Sequence, residues 1–414
     1  MSGENKSALM TNFNMYNDFS MNYRFIGVLC FGLISWGAFG QNRTALQNLT
    51  QVLQSEDTLI RRFADPNSPH ELQVYWSEVH VSDDGLPTFD TAVFQADPKT
   101  YFYPASTAKL PIAIMALEKI RRLQAEGYPL DEHTPFQVID PKNNQLIAEQ
   151  KTVLNLIQEI FLVSDNDAYN YLFDFLGRDQ INQRLHEMDL TNTRIHHKFL
   201  AGADNENTWE YKFFDQGQLV YHQPSIQAKK PIKNESIQGL HKGKGFVLGD
   251  SLIQQPMDFT YKNHIPLEDL VGMIKRLIWF EEFTENQRWR LNRADADTLL
   301  YWMGRNTLES EDPRYREDLG YWDSYNKFLL YGDLKGEMSP KIRIYNKIGQ
   351  AYGTLTDIAY IKEGDHQGIM AVSLLVNQNG IFNDDHYEYE ELGLPFMGVF
   401  GRALWSVYTS GRMD

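Results

Sequence analysis

Short segments in which apolar and polar side chains alternate lie near both ends of the chain. Residues 72–80 alternate in part, and residues 91–94 follow as a second strand-forming run. Near the C-terminus, residues 341–347, 354–362 and 369–377 are rich in the side chains that strands favour. We predict a β-strand in each of these five segments.

The middle of the chain has helical patterns instead. Residues 105–126 carry almost no polar face in their first half, which is typical of a helix buried on all sides, and they stop at the breaker cluster 127–129. A final helix is predicted at residues 395–409. Further helices are predicted at residues 41–65, at 153–163, at 167–188 (as one helix or two), at 266–280 and at 294–303.

Residues 201–263 break this order, because glycines, lysines and polar residues are mixed there with short apolar runs. We interpret them as an irregular insertion with room for a hairpin, within one domain at residues 41–414. Strands at both ends and helices between them predict an α+β fold. One antiparallel sheet is built from the N- and C-terminal strands with flanking helices, and an all-helical lobe is added to it.

Composition narrows the class of protein. The 414 residues carry a formal net charge of −16, which argues against a nucleic-acid binder, and 42% hydrophobic residues suit a globular core. The chain has no His-Glu-x-x-His motif, no paired cysteines and no phosphate-binding glycine loop. We therefore expect neither a metal nor another cofactor.

The N-terminal region resembles a secretory signal peptide. Arg24 precedes an apolar stretch at residues 25–40 that ends in small residues and is short for a membrane span. Its Cys30 is the only cysteine, so a chain cleaved after residue 40 has none. Met15 and Met21 are alternative starts. We expect residues 1–40 to be removed and the protein to be periplasmic or secreted in a bacterium; an uncleaved anchor is the alternative.

Ser106 and Lys109 are the first candidates for chemistry. Three positions apart on a helix, they share one face. A serine needs a base to become a nucleophile, and a lysine in apolar surroundings loses its proton readily enough to act as one. A chain this long holds about one or two Ser-x-x-Lys matches by chance. A helix that merely begins with serine is therefore the alternative.

Two further motifs accompany this pair. Ser164-Asp165-Asn166 falls between two predicted helices, and Lys347-Ile348-Gly349 ends a predicted strand before Gln350. Each has a plain structural alternative. Ser, Asp and Asn are favoured in helix-capping turns, and a lysine at the end of a strand is common.

Together the three motifs, in this order, resemble those of class A β-lactamases and penicillin-binding proteins. The resemblance covers about residues 70–200 and 265–410, including the run Lys-x-Gly-x-x-Tyr-Gly-Thr-x-x-Asp-Ile-Ala from Lys347. It implies a serine hydrolase that cleaves a β-lactam or related amide through an acyl-enzyme. With the signal peptide, we expect a secreted enzyme, and we expect a monomer. The alternatives are a D-Ala-D-Ala carboxypeptidase acting on cell-wall peptides, and a non-catalytic protein that binds peptidoglycan or β-lactams.

The resemblance also implies roles for the residues of acylation. Ser106 attacks the substrate carbonyl and Lys109 accepts its proton. The backbone N–H groups of Ser106 and Gln350 form the oxyanion hole, an arrangement typically worth about 10²–10³ in rate.

The remaining motif residues are implied to bind substrate and move protons. Ser164 relays a proton to the leaving nitrogen, and Asn166 bonds the substrate amide and Lys109. Lys347 supplies positive charge for an anionic substrate and, with Gly349, lines the substrate site. Asp165 is expected to be structural.

Two positions depart from the class A pattern. Ile348 stands where the family has a Thr or Ser whose hydroxyl holds the substrate carboxylate, and isoleucine donates no hydrogen bond. The glutamate that activates the deacylating water is missing from residues 190–199. His196 or His197 is a candidate base, with two packed histidines as the alternative. Asp204 and Glu206 are the nearest acids downstream.

Overall fold

The computed structural model describes residues 44–234 and 236–411, and the predicted signal peptide at residues 1–40 lies outside these ranges. The helices are α1 (Ala45–Leu53), α2 (Thr58–Ala64), α3 (Lys109–Ala125), α4 (Val153–Leu162), α5 (Asn166–Leu176), α6 (Arg178–Glu187), α7 (Leu267–Ile278), α8 (Arg293–Met303) and α9 (Leu394–Ser410). The strands are β1 (Gln73–Val81), β2 (Pro87–Phe94), β3 (Phe136–Asp140), β4 (Gln145–Lys151), β5 (Glu210–Asp215), β6 (Gln218–Gln223), β7 (His241–Lys242), β8 (Gly245–Leu248), β9 (Ser251–Ile253), β10 (Met257–Asp258), β11 (Ile342–Ala351), β12 (Thr354–Glu363), β13 (His366–Leu375) and β14 (Ile381–Phe382).

The main sheet joins the two ends of the chain, which confirms the predicted α+β fold. Its order is β11-β12-β13-β1-β2, and every neighbouring pair is antiparallel. In the central pair, Trp76 of β1 lies opposite Met370 of β13. The termini of the described chain therefore build one continuous sheet, and the residues between them form the rest of the domain.

Two buried clusters flank this sheet. On one face, apolar side chains of α1, α2 and α9 pack against the strands, with Trp76 making edge contacts to Trp405 and Tyr408. On the other face, α7 packs on the sheet and shares its cluster with α3, α4, α5, α6 and α8. The wholly apolar stretch of α3 is buried along its length, as the sequence predicts.

The helical lobe also carries a sheet that the sequence analysis did not predict. Strands β4-β3-β5-β6 form a four-stranded antiparallel sheet. Phe136 and Val138 of β3, with Tyr211 and Phe213 of β5, are fully buried in the same cluster as the helices. Their burial explains why the β5–β6 hairpin of segment 201–263 is held to the body of the protein.

Other boundaries differ from the prediction in ways that matter for the site. The lead-in segment 41–65 contains two helices, because Asp57 caps a second one by accepting hydrogen bonds from two backbone N–H groups. The strand predicted to end at Lys347 continues to Ala351, so the third motif lies inside β11. In the part of the chain that the structure describes, no helix has the length and apolar character needed to cross a bilayer.

Candidate active site

Ser106 lies in a tight 3₁₀ turn, Ala105–Ala108, that leads directly into α3. Ala105 has a φ of +47°, a left-handed conformation that is costly for a residue with a Cβ atom and that recurs at functional sites. Thr107 fastens the turn, because its backbone N–H and its hydroxyl both donate to Pro104 O, at 3.1 and 2.6 Å. The candidate nucleophile is therefore held half-buried at the start of a buried helix.

Strand β11 runs directly against this turn, and Gly349 makes the approach possible. A Cβ atom at this position would lie 2.6 Å from Pro104 O and 3.0 Å from Ser106 N. No side chain fits there, so glycine is required for the strand backbone to come this close. The contact brings Gln350, the next residue, to the turn that carries Ser106, as the predicted oxyanion hole requires.

Lys109 is fully buried, at 0% exposure. Its Nζ donates to the backbone oxygen of Ser164, to Ser164 Oγ at 3.3 Å and to Asn166 Oδ1 at 2.7 Å. Burial lowers the pKa of Lys109 to about 7, against an opposing effect of the Asp165 carboxylate. Near neutral pH a large fraction of this amine is therefore uncharged and has a lone pair that accepts a proton.

The expected hydrogen bond between nucleophile and base is not formed. Among residues 44–234 and 236–411, no hydrogen bond joins Ser106 Oγ to Lys109 Nζ, because the amine is directed to the three oxygens of Ser164 and Asn166. Catalytic hydrogen bonds are often loose without substrate and tighten when it binds. A neutral amine donates only two hydrogen bonds, so its lone pair is free to accept one from the hydroxyl of Ser106 or of Ser164.

The Ser164-Asp165-Asn166 turn combines its structural and its chemical interpretation. Asp165 caps α5 by accepting a hydrogen bond from Ala168 N at 2.8 Å, which is the structural role expected for it. Ser164, with a φ of +59°, and Asn166 are the two residues whose oxygens bond Lys109. One capping turn thus positions two polar groups on the candidate base.

Lys347 completes the constellation from β11. Its Nζ donates to Ser164 Oγ at 2.8 Å and to Ile348 O at 2.9 Å, and the side chain is buried. Burial, and then the nearby charge of Lys109, lower the pKa of Lys347 well below its usual range. Ser164 Oγ consequently lies between two buried amines, and the three sequence motifs meet at one oxygen atom.

A buried polar network anchors β11 behind Lys347. Asn346 Nδ2 donates to Asp357 Oδ1 at 2.8 Å, and Lys327 Nζ donates to Asn346 Oδ1 at 2.7 Å. The second oxygen of Asp357 accepts the backbone N–H groups of residues 328 and 329. Every polar group of this network is paired, so it fixes the strand's position. Lys327 and Asn346 carried no sequence signal of this role.

The segment 196–199 lies beside Lys109. The ring of Phe199 lies 5.2 Å from Lys109 Nζ. Asn263 Oδ1 accepts the backbone N–H groups of His196 and His197, at 2.7 and 3.1 Å, and Asn170 Oδ1 accepts that of Phe199 at 2.7 Å. Buried amide side chains therefore fix the backbone of this segment.

Both candidate histidines are packed and neutral. Burial lowers the pKa of each of them to about 4. His197 Nδ1 lies 2.8 Å from Lys198 O, so this nitrogen carries the proton, and His196 Nε2 lies 3.3 Å from Asn234 Oδ1. This geometry fits the packed alternative better than an exposed base.

A cleft of about 840 Å³ opens beside Gln350. Aromatic rings and uncharged polar groups form most of its lining. The lining residues include Tyr103, His197, Phe199, Asn205, Tyr261, Lys262, Gln350, Tyr352, Asn383, Asp385, Tyr387 and Tyr389. Tyr103 lies three residues before Ser106 and packs edge-on against Tyr352 at 4.9 Å, which connects the cleft to the nucleophile turn.

Comparison with known proteins finds a β-lactamase family match for part of the chain and a similar fold. The sequence model of a family described as the β-lactamase enzyme family (Beta-lactamase2) matches residues 76–228. A class A β-lactamase of Bacteroides cellulosilyticus is similar in structure, with a TM-score of 0.50 at 13% identity, over 89% of this chain and 100% of that one. At this identity the likeness is one of fold. Among curated proteins, none matches the sequence.

Residues 76–228 thus resemble a β-lactamase family in sequence, and the chain has the fold of a class A β-lactamase. Two other similar structures are a β-lactamase of Sphaerobacter thermophilus and the protein PBP-A. The first has a TM-score of 0.46 at 15% identity, over 88% of this chain and 97% of that one. The second has a TM-score of 0.48 at 14% identity, over 88% and 96%.

Ile348, the residue that departs from the class A motif, packs in the core. Its side chain is 8% exposed and belongs to the buried cluster beneath α1 and α9. It therefore contributes packing, and it offers no hydrogen-bond donor to a substrate carboxylate.

The acids nearest to the missing glutamate are engaged elsewhere. Asp204 pairs with Lys142 at 2.9 Å and accepts backbone N–H groups of its own loop, which lower its pKa strongly. Glu206 has an exposed side chain whose nearest cation, on Arg178, is 3.9 Å away. The described partners of Lys109 include no carboxylate, and an apolar ring, that of Phe199, lies beside it instead.

Proposed function

We propose that this protein is a serine acyl-transfer enzyme that opens a β-lactam or related amide through an acyl-enzyme on Ser106. One observation carries the proposal: Ser164 Oγ lies between Lys109 Nζ and Lys347 Nζ, at 3.3 and 2.8 Å. This row of groups that can exchange protons, beside a serine on a strained turn, suits acyl transfer. A chance Ser-x-x-Lys match would not be accompanied by such an arrangement.

Acylation starts with neutral Lys109. It takes the proton of Ser106 as Oγ bonds to the carbonyl carbon of the substrate, and the backbone N–H groups of Ser106 and Gln350 stabilise the negative oxygen. Ser164 then passes its proton to the leaving nitrogen as the C–N bond breaks, and it recovers a proton from one of the two amines. The product is an ester on Ser106 and a free amine.

Turnover of a labelled penicillin tests this function. We expect the purified protein to react with the compound, and Lys109→Ala to slow acylation by about 10²–10⁴-fold, the usual contribution of a positioned base. Rapid release of the opened compound indicates β-lactamase action. Failure of the wild-type protein to react with any β-lactam or acyl-D-Ala-D-Ala peptide contradicts the proposal.

A D-Ala-D-Ala carboxypeptidase or penicillin-binding protein is the second candidate. The apolar ring of Phe199 beside Lys109, in the absence of a carboxylate among that amine's described partners, favours it. Such a site acylates readily and releases the acyl group slowly. A penicillin adduct that persists for hours, together with release of D-alanine from an acyl-D-Ala-D-Ala peptide, distinguishes this candidate.

Export of the protein is a further part of the proposal. It rests on the sequence pattern of residues 25–40. Expression of the full chain in a bacterium, followed by fractionation and intact mass measurement, is expected to give a periplasmic or secreted product that lacks about 40 residues. A full-length product retained in the cytoplasm contradicts it.

A further inference from the structure

A cavity of about 230 Å³ is lined by one face of α6, by Arg194 and by residues 230–233. It shares no lining residue with the cleft beside Gln350. The chain as a whole carries a formal net charge of −16, but basic side chains prevail here. The titratable residues of the lining are Asp179, His186, Arg194, Lys230 and Lys233.

Two donor groups of Arg194 lack a partner. Its Nη1 donates to Thr191 O and to Thr193 O, the second at 3.0 Å. Within residues 44–234 and 236–411, no hydrogen bond is made by its Nε or Nη2, and no carboxylate forms an ion pair with the guanidinium. The nearby carboxylate of Asp269 is bonded to Thr193 Oγ1 at 2.6 Å. The Nε–Nη2 edge of Arg194 is therefore available to bind an oxyanion through two parallel hydrogen bonds.

Lys230 and His186 bring further donors to the same place. Burial, and then the charges of Arg194 and Lys230, lower the pKa of His186, so both cations lie near this imidazole. His186 is consequently neutral near pH 7 and has one N–H to donate. In the described ranges, Lys230 Nζ forms no ion pair with a carboxylate. Two neighbouring cations without counterions repel each other, and a bound anion removes this repulsion.

Asp179 is the acid in this lining, and it is tied to the opposite wall. Its Oδ2 accepts the backbone N–H groups of Lys229 and Lys230, at 2.7 and 3.1 Å. Its Oδ1 is buried and has no hydrogen-bond partner among the residues that the structure describes. A buried acceptor normally has a partner, and a ligand with a hydroxyl beside its negative group would supply one.

We propose that this cavity binds a phosphate monoester that carries a hydroxyl group. Arg194 and Lys230 belong to different segments, so they approach an anion from different directions. This arrangement suits the three acceptor oxygens and the charge of about −1.5 to −2 of a phosphate group better than a planar, singly charged carboxylate. The hydroxyl of the ester donates to Asp179 Oδ1. The site is separate from Ser106, and it stands or falls independently of the proposed function.

Titration calorimetry with glycerol 3-phosphate, inorganic phosphate and acetate tests the site. We expect saturable binding of both phosphate compounds, tightest for the ester, and much weaker binding of acetate. Arg194→Gln and Lys230→Met should each weaken binding of the ester by about 10- to 100-fold, the usual range for a charge-assisted hydrogen bond. Lys230 is exposed, so its variant tests the site even if Arg194→Gln fails to fold.

Lys229→Met is the matched control. Lys229 is the adjacent exposed lysine, and its side chain does not line the cavity, so this variant should bind like wild type. Equal affinity for acetate and phosphate, no saturable binding of either phosphate compound, or an equal loss in Lys229→Met overturns the site. Acylation of Ser106, measured on the same preparations, shows separately whether the proposed function stands.

Phosphatidylcholine vesicles that contain phosphatidic acid identify the source of the phosphate group. Vesicle binding that is lost in Lys230→Met, but not in Lys229→Met, supports the site and makes its ligand a lipid headgroup. Binding of glycerol 3-phosphate without vesicle binding supports the site and makes its ligand a soluble compound.

Discussion

Ser164 Oγ accepts a hydrogen bond from Lys347 Nζ at 2.8 Å, although the two residues lie 183 positions apart. The same oxygen lies 3.3 Å from Lys109 Nζ. The two amine nitrogens are therefore at most about 6 Å apart, and if both were protonated they would repel by at least about 3 kcal/mol at an effective dielectric constant of about 20. The two lysines therefore titrate as a coupled pair, in which one neutral amine is available as a base.

Replacement of Lys347 tests the relay directly. Lys347→Met keeps the volume of the side chain but removes the amine that bonds Ser164, so we expect acylation to slow by about 10²-fold. Stopped-flow acylation by a chromogenic β-lactam measures the rate, and thermal unfolding shows whether the variant is folded. An undiminished rate in a folded Lys347→Met protein contradicts the relay.

Burial lowers the pKa of Lys109 and the carboxylate of Asp165 opposes that shift, so both affect the pH dependence of acylation. Lys109 acts as a base only when neutral, so the rate should rise with pH through a midpoint near 7, where its pKa lies. Asp165→Asn removes a charge that raises this pKa, and the midpoint should move to lower pH. Asparagine is as good a helix cap as aspartate, so stability should change little.

Asp167 provides the control for this shift. It is an exposed acid in the first turn of the same helix, and it is not among the causes of the Lys109 pKa. Asp167→Asn should leave the midpoint of the pH profile in place. Equal shifts in the two variants would mean that long-range charge, and not the Ser164-Asp165-Asn166 turn, sets the pKa of Lys109.

Gly349 should tolerate no side chain. In Gly349→Ala, the new Cβ would lie 2.6 Å from Pro104 O, so the nucleophile turn and β11 must separate. We expect a loss of about 1–3 kcal/mol in the free energy of unfolding and a large loss of acylation. Gly336→Ala is the matched control, because its Cβ meets nothing within 4 Å. Normal acylation by Gly349→Ala would show that the close approach is not needed.

Restoration of the family hydroxyl at position 348 should not help this protein. Ile348 is buried in the core, so Ile348→Thr should lower the free energy of unfolding by about 1–3 kcal/mol without speeding acylation by a penicillin. Ile348→Val should cost about 0.5–1.5 kcal/mol and also leave the rate unchanged. A tenfold gain for Ile348→Thr would mean that this side chain reaches the substrate.

The parts of the fold that could be predicted from the sequence are those with strong local patterns. The strands near both termini and the wholly apolar face of α3 carried such patterns. Strand β4 was missed because its residues, Gln145–Lys151, are mostly polar and partly exposed, so no apolar alternation marks them. The end of β11 was misplaced because glycine normally weakens a strand. Here the close approach of β11 to Pro104 requires glycine at position 349.

The candidate site divides in the same way. Ser106, Lys109, Ser164, Asn166 and Lys347 belong to short motifs, and the fold brings their side chains or backbone to one place. Phe199 and Lys262 belong to no motif. Their roles depend on which loops face the cleft, and that is decided by buried amides such as those of Asn234 and Asn263 rather than by neighbouring residues in sequence.

Mass spectrometry of the protein after incubation with a penicillin tests the central claim most directly. We expect the intact mass to rise by the mass of one penicillin, and proteolytic peptides to place the increment on Ser106. Ser106→Ala, with an unchanged melting temperature, should show no increment. An adduct on another residue, or continued turnover by Ser106→Ala, would contradict the account.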